Sequence, residues 1–147
     1  MTVPPRVSLV TLGVADVEAS AAFYERLGWT RSSASVPGDV AFFATTTGTA
    51  VGLYGLADLA ADAARPVPTD PAAFRGVTLA VNLPSPEEVD RVLDAARAAG
   101  ATVTKEATRA EWGGYGGYFA DPDGHAWEVA HNPFWPLSDE GTVTLPA

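Results

Sequence analysis

A chain of 147 residues, 47% hydrophobic and 18% charged, suffices for one domain with a sizeable core or two fused half-units, and is too short for a second independent domain. With no cysteine it has no disulfide framework, thiol nucleophile or thiolate metal site. The net charge of −9 argues against nucleic acid, whose phosphates need a basic face; it is compatible with a cationic small molecule, or simply with solubility.

No apolar run approaches the roughly 20 residues that span a bilayer, and the amino terminus lacks a signal-like pattern. The expectation is a cytoplasmic protein without membrane contact. In chain order, Arg6 to Val14 alternates as a strand, with Val10, Leu12 and Val14 on one face and Leu9, Thr11 and Gly13 on the other. Asp16 is an N-cap, and Val17, Ala21, Tyr24 and Leu27 recur at helical spacing until Gly28 stops the helix. Trp29 to Ser35 starts a second strand, and Phe42 to Tyr54 forms a hairpin. Leu56 to Arg65 is alanine-rich and helical in pattern, and Pro66 to Pro71 is a proline-rich linker. Beyond it Arg75 to Leu83 is a strand. Ser85, Pro86 and Glu88 open a helix as cap, first-turn proline and capping-box partner, Val89, Val92, Leu93 and Ala96 form its buried stripe, and Gly100 ends it. A strand restarts at Ala101 to Thr104, and Glu111 to Gly117 leads into a last hairpin, Tyr118 to Ala130. His131 to Ala147 is a tail containing Phe134 and Trp135.

That last hairpin, Y-F-A-D-P-D-G-H-A-W-E-V-A, organises the rest. Pro122-Asp123-Gly124 suits a type I turn followed by a left-handed glycine, which pairs Asp121 with His125 and places Tyr118 opposite Glu128. Alternation then sets Ala126, Glu128 and Ala130 on one face, with Phe119, Trp127 and Val129 behind. Asp121 and Asp123 read as turn formers aimed into solvent. Phe42 to Tyr54 has the same length, with Phe42 matching Tyr118, Phe43 matching Phe119, Gly48 matching Gly124 and Gly52 matching Glu128. The segments before each hairpin repeat too, Val10 to Val14 as Val77 to Val81. Similarity at a fixed offset marks a duplicated unit of strand, helix and strands.

The doubled unit, the D-x-x-x-S-x-x-F-Y run from Asp16 to Tyr24, and D-P-D-G-H-x-W-E at Asp121 to Glu128 together resemble the vicinal oxygen chelate superfamily, which includes glyoxalase I, bleomycin-resistance proteins and extradiol dioxygenases. The resemblance covers about residues 6 to 132. It implies an α+β fold of two βαβββ modules forming a cupped mixed sheet around a cavity. The modules fall at about 6–65 and 72–132 of a single domain spanning 1–147, with a tail at 133–147. It also implies a homodimer, and a divalent metal held by one residue on the first and one on the last strand of each module. Those positions are Leu9, Gly52, Gly76 and Glu128. Only Glu128 can coordinate, and a catalytic divalent site takes about three protein ligands. His125 and His131 fall on the opposite parity of their strand.

No cofactor is therefore expected, with nickel, zinc, manganese or iron as the alternative. The cavity is expected to bind a small aromatic or cationic molecule through Phe42, Tyr54, Asn82, Trp112 and Tyr115, the last two as a lid among the glycines Gly113 to Gly117. Glu128, a carboxylate in apolar and aromatic surroundings, calls for a partner: Tyr118, Arg75, Arg109 or a ligand cation. Two functions follow. One is a metal-free, glyoxalase/bleomycin-resistance-like binding protein. The other is a lyase, isomerase or dioxygenase using Glu128 and Tyr118 as catalytic groups, with or without metal.

Overall fold

The computed structural model describes residues 2–147. Two compact units divide between Val67 and Pro68, inside the proline-rich stretch that reads as a linker. Each carries its own mixed sheet, so the fold is α+β. No helix is long and apolar enough to cross a membrane among the described residues.

The first unit runs β1 (Leu9–Val14), α1 (Val17–Arg26), β2 (Val40–Ala44), β3 (Ala50–Gly55) and α2 (Leu56–Asp62). Asp16 caps α1, its carboxylate accepting from the Ala19 N–H at 2.9 Å. The sheet order is β1-β3-β2, with β1 parallel and β2 antiparallel to β3. One face buries Leu12, Val14, Phe43, Val51 and Leu53 together with Ala21, Phe23 and Tyr24 of α1, and the Tyr24 ring lies 5.9 Å from Phe43 and 5.4 Å from Trp29.

The strand expected at Trp29 to Ser35 does not form. Only single bridges occur there, Arg31 to Phe43 and Val36 to Val40. One backbone bond of a strand pair does form, the Ser32 N–H donating to the Phe42 carbonyl at 2.7 Å, but the Phe42 N–H donates instead to Ser35 Oγ at 2.9 Å. Serine, proline and glycine between Ser32 and Gly38 favour such turns. Arg31 ties this loop to α1 through Glu18 at 2.8 Å and Glu25 at 3.0 Å.

The second unit is a complete βαβββ module: β4 (Thr78–Asn82), α3 (Pro86–Ala99), β5 (Thr102–Arg109), β6 (Tyr115–Ala120) and β7 (Ala126–His131), in sheet order β4-β7-β6-β5. Ser85 caps α3 by accepting from the Glu88 N–H at 3.3 Å, Pro86 opens the helix, and Gly100 closes it at φ 106°. Val89, Leu93 and Ala96 of α3 are buried, and α3 packs on β5, β6 and β7. Behind β6 and β7, Phe119 and Trp127 stack at 6.2 Å with their planes 7° apart. Burying one such face on a helix is the main favourable term holding each unit together.

Candidate functional site

The β6–β7 hairpin has the register its turn residues require. The Asp121 N–H donates to the His125 carbonyl at 3.0 Å, Gly124 adopts φ 85°, and Tyr118 is the cross-strand partner of Glu128. Asp121 does shape the turn but is not aimed into solvent. It is 4% exposed, because Oδ1 turns inward to accept the N–H groups of Asp123 at 3.0 Å and His125 at 2.9 Å.

Glu128 sits on the sheet face turned away from α3. The Tyr118 hydroxyl donates to Glu128 Oε2 at 2.5 Å, a short, charge-assisted contact. Tyr118 is thus the partner the carboxylate called for. Neither arginine takes that place: Arg75 donates to the Pro71 carbonyl, and the Arg109 guanidinium lies 5.7 Å from the centre of the Tyr115 ring. The hydrogen bond to Glu128, then burial, then the carboxylate's charge hold the Tyr118 phenol above its ordinary pKa. Around the pair the floor is small: Ala80 lies beside Glu128 on β4, and Ala126 and Ala130 flank it along β7. Asn82, partner of Ala130, shares this face.

Trp112 is at the tip of the β5–β6 hairpin, 59% exposed, with its indole laid so closely on Gly114 that any Cβ there would overlap the ring. Tyr115 does not join it. The strand already begins at Tyr115, which pairs with His131, so alternation turns its side chain to the α3 side, where its hydroxyl donates to Asp90 at 2.7 Å. That bond, burial and the Asp90 charge raise its pKa. The lid expected from Trp112 and Tyr115 together is therefore divided between opposite faces of the sheet. His131 is also on the α3 side, its Nδ1 at 2.9 Å from the Leu83 carbonyl.

In the first unit, Phe42 and Tyr54 share with Gly52 the sheet face away from α1. A Cβ on Gly52 would stand 3.3 Å from the Phe42 ring and 3.5 Å from Leu9, so apolar groups occupy the space a ligating side chain would need. A largely apolar depression of about 360 Å³ lies beside them, its walls including Leu9, Phe42, Ala44 and Ala50 with Ser32 and Ala34 of the loop. Leu9 heads β1, and Gly76 precedes β4 at φ 76°, a conformation unfavourable for any ligand-bearing side chain. Three of the four positions thus lack donor atoms, and among the described residues no group of three or more His, Cys, Asp or Glu is placed to hold a metal ion. These residues do not fit a divalent metal at the positions the resemblance implies.

A model of the Glyoxalase/Bleomycin resistance protein/Dioxygenase superfamily matches residues 6–129. Among solved structures, a glyoxalase-related enzyme from Fulvimarina pelagi is similar at 35% identity and TM-score 0.84, over 97% of this chain and 99% of that one. A glyoxalase/bleomycin resistance protein/dioxygenase from Nocardioides is similar at 30% identity and TM-score 0.73, over 89% and 85%. The lactoylglutathione lyase of Agrobacterium tumefaciens shares the fold at 24% identity and TM-score 0.68, over 92% and 99%. No curated protein matches. With the family's model covering both repeated units and the Tyr118–Glu128 hairpin, this chain belongs to the Glyoxalase/Bleomycin resistance protein/Dioxygenase superfamily.

Proposed function

We propose that this chain binds a small aromatic or cationic molecule without a resident metal, on the sheet face that carries Glu128. The observation that carries the reading is one carboxylate, hydrogen-bonded to Tyr118 at 2.5 Å, on a floor of alanines, where the three other positions implied for metal carry no donor. A partly buried carboxylate attracts a ligand cation more strongly than one in bulk water, and the exposed indole of Trp112 offers a flat surface on which a ring can stack. A second reading has support in the 2.5 Å contact and in the Fulvimarina relative, an enzyme at 35% identity. In it Glu128 is a general base and Tyr118 its proton partner in a lyase or isomerase.

The test is the metal content of untagged protein, followed by calorimetric titration with nickel, zinc, manganese and iron(II). Absence of stoichiometric metal and of binding heat is the expected outcome. Cationic aromatic amines should then quench tryptophan fluorescence, and Glu128→Gln should weaken them about tenfold or more, the scale of one lost charge-assisted contact. A stoichiometric metal overturns the metal-free reading and moves the work to hemithioacetals and catechols as substrates.

A further inference from the structure

Lys105 is the chain's single lysine, and an irregularity in β5 brings it beside the Tyr118–Glu128 pair. Val103 stands across from Phe119, on the α3 side, and uninterrupted alternation would put Lys105 on that side as well. Instead the register slips between Val103 and Lys105 and again between Lys105 and Thr108, which makes Lys105 the cross-strand partner of Tyr118. Cross-strand partners share a face, and a bulge re-aims the side chains that follow it. Glu106 marks the opposite side: it pairs with Arg97 of α3 at 2.6 Å. A row therefore crosses three strands on one face, Lys105 on β5, Tyr118 on β6 and Glu128 on β7. Lys105 is exposed and, among the described residues, has no carboxylate within 4.0 Å.

We propose that Lys105 is an anion anchor and that this face takes a small zwitterion, its carboxylate on Lys105 and its ammonium on Glu128. The proposal rests on the reading above that Glu128 accepts a cationic group. Neighbouring strands are about 4.8 Å apart, so the two charged residues are rooted about 10 Å apart, a span suited to a molecule with one ring between its charges. Net charge narrows the class further. At −9 the chain repels a simple anion at long range, whereas a zwitterion carries no net charge and feels Lys105 only at close quarters. Because Lys105 is exposed, its pull is modest, about two- to fivefold in affinity, and salt weakens it.

The experiment compares three probes on the full chain at low salt by calorimetry: benzylamine, benzoate and para-aminomethylbenzoate. The zwitterionic probe is expected to bind about fivefold tighter than benzylamine, and benzoate weakest. Lys105→Ala should erase that advantage without weakening benzylamine, Lys105→Arg should retain it, and Glu128→Gln should weaken both amines. Equal affinity of the two amines, or an advantage that survives Lys105→Ala, overturns the anchor, and the Glu128 reading then stands only if Glu128→Gln still weakens benzylamine. Benzylamine binding indifferent to Glu128→Gln, or no binding of any probe, overturns both.

Discussion

Phe42 and Gly52 are cross-strand partners in the first unit as Tyr118 and Glu128 are in the second. Each pair sits at the same distance in sequence from its turn glycine, Gly48 or Gly124, and both glycines have positive φ. In one unit an aromatic ring lies over a bare glycine; in the other a phenol donates to a carboxylate. The same backbone solution thus gives an apolar surface in one copy and a proton-bearing one in the other, and two side chains decide which. What both copies share is the apolar backing: Phe43 and Phe119 occupy matching places and are 0% and 3% exposed.

The comparison can be broken at its shared part first. Phe43→Ala and Phe119→Ala should each cost about 3–5 kcal/mol, the range for emptying a buried aromatic site, with urea unfolding as the measurement. A cost confined to one unit would show that the two backings are not equivalent. Next is the exchanged position. Gly52→Glu crowds the Phe42 ring and brings a carboxylate to a buried position without a donor, which should cost about 2–3 kcal/mol. Adding Phe42→Tyr supplies the phenol and should return about 1 kcal/mol. Failure of the double variant to recover anything would mean that register alone does not make the pair.

The pH behaviour of the second unit sharpens the difference without emptying its core. Tyr118 is held above its ordinary pKa, so its contribution to stability is fully present below about 10, the unfolded value, and is lost as pH rises through the folded one. Ultraviolet titration should show Tyr54, Tyr115 and Tyr118 all ionising late, and Glu128→Gln should lower the Tyr118 step alone. Tyr115 is also raised, through Asp90, so the diagnostic is the change on Glu128→Gln. The smallest effect belongs to the first unit. Ser35→Ala removes the hydroxyl that takes the Phe42 N–H and should cost about 1 kcal/mol, with faster amide exchange at Phe42 as the site-specific readout.

Both hairpin registers, both capped helices and the duplication were legible because each rests on short-range chemistry. A Pro-Asp-Gly turn counts out its own cross-strand pairs, and Asp16 and Ser85 cap within three residues. Residues that depend on a neighbouring strand were not. Tyr115 lies in a glycine-rich run that reads as loop, yet pairing with β7 makes it strand and turns it to Asp90. Trp29 to Ser35 reads as the start of a strand but pairs only at the Arg31–Phe43 bridge, because the Ser35 hydroxyl takes the Phe42 N–H. Lys105 gave no signal, because a bulge arises from the match between two strands and leaves no pattern in one.

By itself the sequence determined the α+β repeat, the Tyr118–Glu128 partnership and the missing donors at Leu9, Gly52 and Gly76, since side-chain alternation and turn chemistry are local properties of the chain. Tertiary structure decided the rest. It turned Asp121 inward onto its own turn, assigned Trp112 and Tyr115 to opposite sides of their hairpin, and carried Lys105 across to the face of Glu128. A side chain's face in a sheet is set by pairing, and one extra residue on an adjoining strand reverses it.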